Sequence, residues 1–258
     1  MHFDRFIALG DSMTEGMSDE IINGNYRGWA DRVSDVLAKE QPTFTYANLA
    51  IRGKLLRQVV EEQIPKALKL IEGKQTLVSF HAGANDVLRP NYKPEISLAQ
   101  YESGGKQLTD AGATVIVFTV VDKVDGKGRT ADLWHQRFSA FNENVRKVAS
   151  KYPVILFEAR DAEFLNDRRF LAFDRLHMNA EGHRRLAQAV LAGLEKSHDP
   201  NWRDPLPPAK KKNKVISTAT TFAWMITFVL PWIWRRVRGK SSGDGRSGKY
   251  ETPIRWLI

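Results

Sequence analysis

Short apolar runs alternate with longer amphipathic segments along the first 196 residues of this chain. Near-continuous apolar runs are typical of strands that are buried on both faces of a parallel sheet. The runs lie about 30 to 40 residues apart, a spacing that is typical of βα units. The predicted strands are Arg5–Leu9, Thr43–Leu49, Gln75–Ala82, Thr114–Val120 and Val154–Glu158.

In the segments between and after these strands, apolar positions recur every three or four residues, which is the spacing of one face of an α-helix. A helix after each strand implies that helices cover both faces of the sheet. The pattern therefore predicts an α/β fold, a three-layer α/β/α sandwich with a central five-stranded parallel sheet (flavodoxin-like), plus a basic C-terminal helical extension. The predicted helices are Trp29–Glu40, Leu55–Ile71, Leu98–Ala111, Ala131–Lys151 and Ala180–Lys196.

Polar motifs follow three of the predicted strands. A Gly-Asp-Ser tripeptide that ends at Ser12 follows the first strand, an Ala-Ile-Arg-Gly segment that ends at Gly53 follows the second, and a Gly-Ala-Asn-Asp segment containing Asn85 follows the third. The carboxyl ends of parallel strands meet at one edge of the sheet, where open α/β sheets bind their ligands. We therefore expect the three motifs to share one site.

A fourth motif, Asp-Arg-Leu-His, places Asp174 and His177 three residues apart before the last predicted helix. A serine hydroxyl is a poor nucleophile at neutral pH and needs a base to take its proton, and that base needs an acidic residue to orient it. Ser12, Asp174 and His177 supply these three parts. The sequence therefore predicts a catalytic triad in the order Ser, Asp, His.

The four motifs resemble the dispersed sequence blocks of the SGNH hydrolases, the GDSL esterase/lipase superfamily, over residues 5 to about 195. The resemblance implies an ester hydrolase that forms an acyl-enzyme on Ser12, with Asp174 and His177 completing the triad. It also implies an oxyanion hole made by Ser12, Gly53 and Asn85, a small-molecule ester substrate, and no cofactor or metal. The chain departs from the resemblance at Ala50, where many members have Gly.

Each motif also has a structural interpretation when it is taken alone, as a turn or a helix cap. The occurrence of all four in the expected order favours catalysis. Within the superfamily, a carbohydrate O-deacetylase or a thioesterase would use the same site. A catalytically silent protein for membrane recruitment or binding is the alternative outside enzymes.

The basic charge is concentrated in the last quarter of the chain. Residues 198–258 hold 12 Lys and Arg against 4 Asp and Glu, a net charge of +8, whereas residues 1–197 hold 27 against 26, a net charge of +1. The catalytic part therefore lacks the charge excess of a nucleic-acid-binding protein, and no nucleic-acid partner is predicted. The break predicts a hydrolase domain over residues 1–197 and a basic extension over residues 198–258.

Within the extension, the 20 residues Val215–Trp234 carry no charge, and their apolar positions form a stripe on one helix face. This helix could dock on the catalytic domain or a partner subunit, lie in the interface of an anionic membrane through residues 210–238, or span a membrane. The Gly- and Ser-rich residues 239–248 are predicted to be a flexible linker. Because no basic and apolar leader precedes the first strand, we expect a cytoplasmic protein, and the absence of cysteine excludes disulfides.

Overall fold

A six-stranded sheet forms the centre of the fold, and a two-stranded hairpin lies outside it. The computed structural model describes residues 1–122, 128–161, 163–209 and 214–257. The strands of the central sheet are β1 (Arg5–Gly10), β4 (Thr45–Asn48), β5 (Thr76–His81), β6 (Thr114–Phe118), β7 (Val154–Phe157) and β8 (Tyr250–Arg255), and those of the hairpin are β2 (Ile21–Ile22) and β3 (Asn25–Tyr26).

The strands of the central sheet follow the order β7-β6-β5-β1-β4-β8, and the first five are parallel. In chain order the parallel strands are arranged 2-1-3-4-5, which is the flavodoxin-like order. This arrangement confirms the predicted fold class. The order reverses between β1 and β5, where open α/β sheets bind ligands at the carboxyl ends of their strands.

Helices cover both faces of this sheet, and the described residues form ten α-helices in all. They are α1 (Ser12–Glu15), α2 (Gly28–Glu40), α3 (Leu56–Gln58), α4 (Ile64–Leu68), α5 (Ala84–Val87), α6 (Pro94–Asp110), α7 (Arg129–Lys151), α8 (Ala180–Gly193), α9 (Lys214–Trp224) and α10 (Leu230–Val237). One core cluster joins the sheet to α2 and α8, and another joins the opposite face to α3, α4, α6 and α7. Three layers therefore surround two cores.

The predicted helix Leu55–Ile71 is interrupted in the structure. A π-helical turn over Val59–Gln63 separates α3 from α4, and Pro65 lies in the first turn of α4. Proline has no N–H to donate, so a regular α-helix cannot run through this position without losing a hydrogen bond. The interruption also brings the Gln63 side chain to the end of β1.

The last residues differ from the expectation of a flexible linker and tail. Strand β8 pairs antiparallel with β4, with Thr45 opposite Arg255 and Tyr46 opposite Ile254. The ring of Tyr46 packs against two aromatic rings from this segment, Tyr250 and Trp256. Composition alone predicted flexibility because Gly and Ser dominate residues 239–248, yet small residues also permit close contact between two backbones.

Two further parts of the extension contact the domain. Trp202 is buried in a small cluster with Phe164 and Phe170. The charge-free segment forms α9, a π-helical turn over Met225–Val229, and α10. In the described part of the chain, no helix has both the length and the apolar character that crossing a membrane requires. The lysines at 210–212 lie outside the described residues.

Candidate active site

Ser12 lies immediately after β1 at the ligand-binding edge of the sheet. The strand ends at Gly10, whose φ of +147° and contact with the His81 carbonyl leave no room for a side chain. The side-chain amide of Gln63 donates to the Gly10 carbonyl and accepts from the Gly10 N–H, both at 2.9 Å. Asp11 then caps α1 by accepting from the Met13 N–H at 3.2 Å. This tight turn makes Ser12 the first residue of α1.

The structure brings Ser12, Asp174 and His177 together, although 162 positions separate the first two. The Ser12 Oγ lies 2.9 Å from the His177 Nε2, and the His177 Nδ1 lies 2.6 Å from the Asp174 Oδ2. This geometry suits a histidine that takes the serine proton through Nε2 while its Nδ1–H donates to the carboxylate.

The loop that carries Asp174 is held by its own carboxylate. Asp174 Oδ1 accepts from the N–H groups of Leu176 and His177, both at 3.0 Å, and Arg175, which directly follows Asp174, has a φ of +60°. Burial raises the pKa of Asp174, but its hydrogen bonds, first of all that with the His177 side chain, outweigh burial and hold the pKa below its ordinary value. Asp174 therefore stays a carboxylate that orients the imidazole.

Asn85 and Gly53 lie on the neighbouring loops. The amide nitrogen of Asn85 donates to the Asp11 Oδ2 at 3.0 Å and to the Lys54 carbonyl at 3.2 Å. These bonds connect the loop after β5 to the Ser12 loop and to the loop that carries Gly53. Gly53 has a φ of +75°, in the left-handed region that favours glycine.

Two carboxyl groups, those of buried Asp11 and half-buried Asp86, support these loops. Burial raises the pKa of Asp11 to about 6, although its hydrogen bond to the Met13 N–H and the nearby His177 favour the charged form. Burial also raises the pKa of Asp86 to about 6, and the Asp86 Oδ2 accepts from the Leu56 N–H at 2.8 Å. Asp86 therefore connects the loop of Asn85 to the start of α3 by a hydrogen bond, which is a structural role.

Apolar side chains and the C-terminal helices lie beside the triad. Phe173 and Leu176, on either side of the Asp174 loop, are about half exposed. Trp224 of α9 donates its indole N–H to the Asp174 carbonyl at 2.8 Å, and Phe228 packs edge-on against Phe173. The helical segment therefore contacts the domain at the loop that carries Asp174.

Sequence reasoning did not identify two of these supporting residues. Gln63 holds Gly10 from a distance of 53 positions, and Trp224 contacts Asp174 from the extension. Neither contact has a local sequence signal. Within the residues that the structure describes, no group of three His, Asp or Glu side chains has the arrangement of a metal site.

Several solved structures share this fold. The chain is similar to an α/β hydrolase from the metagenome of Lake Arreo, with a TM-score of 0.62 and 20% identity over 76% of this chain and 97% of that one. It is also similar to a psychrotrophic esterase from Pseudoalteromonas sp., with a TM-score of 0.59 and 15% identity over 74% and 97% of the two chains. An acetylxylan esterase from Geobacillus stearothermophilus has a TM-score of 0.60 and 19% identity over 75% and 94%.

No curated protein matches the sequence. The model of the GDSL-like lipase/acylhydrolase family matches residues 8–185. The matched range contains Ser12, Gly53, Asn85, Asp174 and His177, and it covers more than half of the chain. The chain therefore belongs to the GDSL-like lipase/acylhydrolase family and is an ester hydrolase.

Proposed function

We propose that the protein hydrolyses carboxylic esters through an acyl-enzyme on Ser12. The observation that carries the proposal is the continuous hydrogen-bonded chain from the Ser12 Oγ through both nitrogens of His177 to Asp174. The Ser12 hydroxyl attacks the acyl carbonyl while its proton moves to the His177 Nε2. His177 then donates this proton to the leaving alcohol, and a water molecule that His177 activates releases the acid.

The tetrahedral oxyanion would accept hydrogen bonds from the Ser12 N–H, the Gly53 N–H and the Asn85 amide. Ser12 begins a helix, so its N–H has no acceptor within that helix. The Asn85 amide donates to the Asp11 carboxylate and the Lys54 carbonyl before substrate binds. We expect the oxyanion to take the place of one of these acceptors, or to accept from the same Asn85 N–H.

Exposed Phe173 and Leu176 beside the triad favour esters with an apolar acyl or alcohol group. A carbohydrate O-deacetylase, which would act like the acetylxylan esterase of similar fold, and a thioesterase are the alternatives at the same site. A panel of p-nitrophenyl esters of rising chain length, acetylated xylan and acyl-CoA distinguishes them. Preference for the longer p-nitrophenyl esters supports the proposal.

Replacing Ser12 tests the mechanism. We expect Ser12→Ala to abolish turnover of p-nitrophenyl butyrate and to leave the circular dichroism spectrum and Tm unchanged, because the hydroxyl contributes little to packing. Thr43→Ala removes a hydroxyl from an exposed position that lies outside the four motifs of the site. It is the control and should keep full activity. Wild-type turnover by folded Ser12→Ala would refute the acyl-enzyme.

We also propose that residues 210–238 bind an anionic membrane surface. The support comes from a row of exposed apolar side chains on α9, the following turn and α10, among them Phe222, Ile226 and Ile233. Exposed Arg235, Arg238 and Lys240 follow them in the chain. An apolar helix face next to cations is the pattern of an interfacial helix on acidic lipid. The loop that carries Asp174 would then face the lipid.

A further inference from the structure

Residues Ser241–Lys249, here named the C-terminal strap, cross the loop that carries Gly53. Gly243 is buried, and a Cβ at this position would overlap the carbonyl oxygen of Arg52. Gly248 is also buried, and a Cβ there would lie 2.6 Å from the Asn48 carbonyl oxygen. The strap therefore presses backbone against backbone at the end of β4 and again at Arg52 in this loop.

The contact at Gly243 involves one particular peptide unit. The Arg52 carbonyl and the Gly53 N–H belong to the same peptide, and in a planar trans peptide these two groups point in opposite directions. Packing of Gly243 against the carbonyl side therefore fixes the direction of the Gly53 N–H. On the same side, a Cβ on Gly53 would overlap the Ser241 hydroxyl oxygen.

The opposite end of this peptide segment is also fixed. The Arg52 N–H donates to the Glu15 carboxylate at 2.7 Å, and Glu15 ends the helix that begins with Ser12. The Gly53 peptide is therefore held between the Ser12 helix and the strap.

The strap itself is anchored by buried charge and closed by a turn. The Lys249 Nζ lies 2.7 Å from the Asp31 Oδ1 and donates to the carbonyls of Tyr26 and Arg27, both at 2.8 Å. Both charged side chains are at most 5% exposed. The Ser241 N–H donates to the Asp244 carboxylate at 2.7 Å. The strap is thus a fixed wall and not a linker.

We propose that the C-terminal strap is a positioning element of the active site, which holds the Arg52–Gly53 peptide so that the Gly53 N–H is aimed at the oxyanion. This inference rests on the proposed function, in which Gly53 is an oxyanion donor. Oxyanion donors act only when they are fixed close to the position of the developing charge, and a displacement of about 1 Å can reduce the rate about 100-fold.

Two glycines of the strap provide a matched pair for the test. Gly243→Ala must push the Arg52 carbonyl away, whereas Gly245 has a φ of +72° and open space around it, so Gly245→Ala strains the backbone without contacting the loop. We expect Gly243→Ala to lower kcat for p-nitrophenyl acetate at least about tenfold with KM nearly unchanged. Gly245→Ala should stay within about twofold of wild type.

Hydrogen exchange of the peptide that covers residues 49–54 gives a readout that does not depend on activity. We expect exchange in this segment to be faster in Gly243→Ala than in wild type and in Gly245→Ala. Unchanged kcat or unchanged exchange in folded Gly243→Ala would overturn the proposal. If Gly243→Ala does not fold, Ser241→Ala replaces it, with faster exchange and at least about threefold lower kcat as the expected result and wild-type values as the refutation.

The same experiment separates this inference from the proposed function. If Ser12→Ala is as active as wild type, the acyl-enzyme is wrong, and the exchange data still report whether the strap holds the loop. If Ser12→Ala is inactive and Gly243→Ala has a wild-type kcat, the acyl-enzyme stands and the positioning role of the strap is wrong.

Discussion

At the residue scale, the supporting carboxyl groups combine burial with hydrogen bonds to the loops of the site. Asp11 and Asp86 accept hydrogen bonds that fix the loops of Ser12 and Asn85, yet burial raises the pKa of each from 3.8 to about 6. Each carboxylate therefore costs stability at neutral pH. The protein keeps these costly groups where loop geometry matters most, which is common at functional sites.

Asp86 allows this cost to be measured. Its native pKa lies above its unfolded value, so its contribution to stability is greatest below about pH 3.8 and is lost as the pH rises to about 6. An Asn side chain can still accept from the Leu56 N–H without a charge. We expect Asp86→Asn to be more stable than wild type at pH 7 by about 1 to 3 kcal/mol, because one pKa unit corresponds to about 1.4 kcal/mol.

Urea denaturation at pH 7 and pH 4 checks this expectation. The stability gap between Asp86→Asn and wild type should shrink at pH 4, where Asp86 is protonated in the native state. Asp204→Asn, at an exposed position outside the helices and strands, is the control and should give no such pH-dependent gap. An equal gap at both pH values would show that Asp86 is not desolvated as described.

At the scale of elements, one buried ion pair, Lys249 with Asp31, connects the strap to α2. Burial lowers the pKa of Lys249 and raises the pKa of Asp31 to about 6, although each group favours the charged form of the other. Removing one partner leaves the other as an uncompensated buried charge. The pair is therefore a sensitive point for the attachment of the C-terminal segment.

We expect Lys249→Met to lower the free energy of unfolding by about 3 to 5 kcal/mol, since the Asp31 carboxylate loses its partner. Adding Asp31→Asn should recover most of the loss, because an amide can still accept from the Tyr46 hydroxyl. Urea denaturation of the single and double variants measures both effects. A double variant no more stable than Lys249→Met would contradict this account.

Lys66→Met is the matched control for the ion pair. Lys66 also connects the domain to the C-terminal segment, because its Nζ lies 2.7 Å from the Glu251 Oε1. Both side chains of this pair are exposed. Exposed pairs contribute little because water screens them. Lys66→Met should therefore leave stability nearly unchanged.

The elements also show what periodicity can and cannot predict. The five parallel strands and the long helices lie within a few residues of their predicted bounds, because continuous burial on both faces leaves a clear apolar pattern. Strand β8 left no such pattern, since it lies at the sheet edge, is mostly exposed and contains Pro253. Pro65 is a local signal for the interruption of the predicted helix Leu55–Ile71, but the contact of the Gln63 side chain with Gly10 could not be predicted, because the two residues lie 53 positions apart.

The sequence likewise predicts one part of the candidate site and not the other. Chemistry and spacing predict Ser12, Asp174 and His177 as a triad, the family resemblance adds Gly53 and Asn85, and the structure brings Ser12, Asp174 and His177 into one hydrogen-bonded chain. The partners that hold these residues were not identified. They act through contacts between residues that are far apart in the chain, such as those of the Gln63 side chain with Gly10 and of Gly243 with Arg52, which leave no pattern in the local sequence.

At the scale of the whole molecule, vesicle binding tests the membrane proposal. We expect full-length protein to sediment with phosphatidylglycerol vesicles at low salt and to be released as salt screens the basic residues, with little binding to phosphatidylcholine. Ile226→Asp should weaken binding at least about fivefold. Ile96→Asp on α6 is the control, because Ile96 and Ile226 have almost equal exposure, 49% and 48%. Equal binding by both variants would refute the proposed surface.

The anchoring of the chain on both sides of α9 and α10 has a consequence for such binding. Trp202 is buried before the helices and Lys249 is buried after them. A membrane anchor that is joined to a domain by a flexible linker leaves that domain free to rotate. Because α9 and α10 are attached to the domain at both ends, lipid that binds them would also fix the orientation of the enzyme relative to the membrane. Such an enzyme would search for esters in two dimensions, along the surface that carries it.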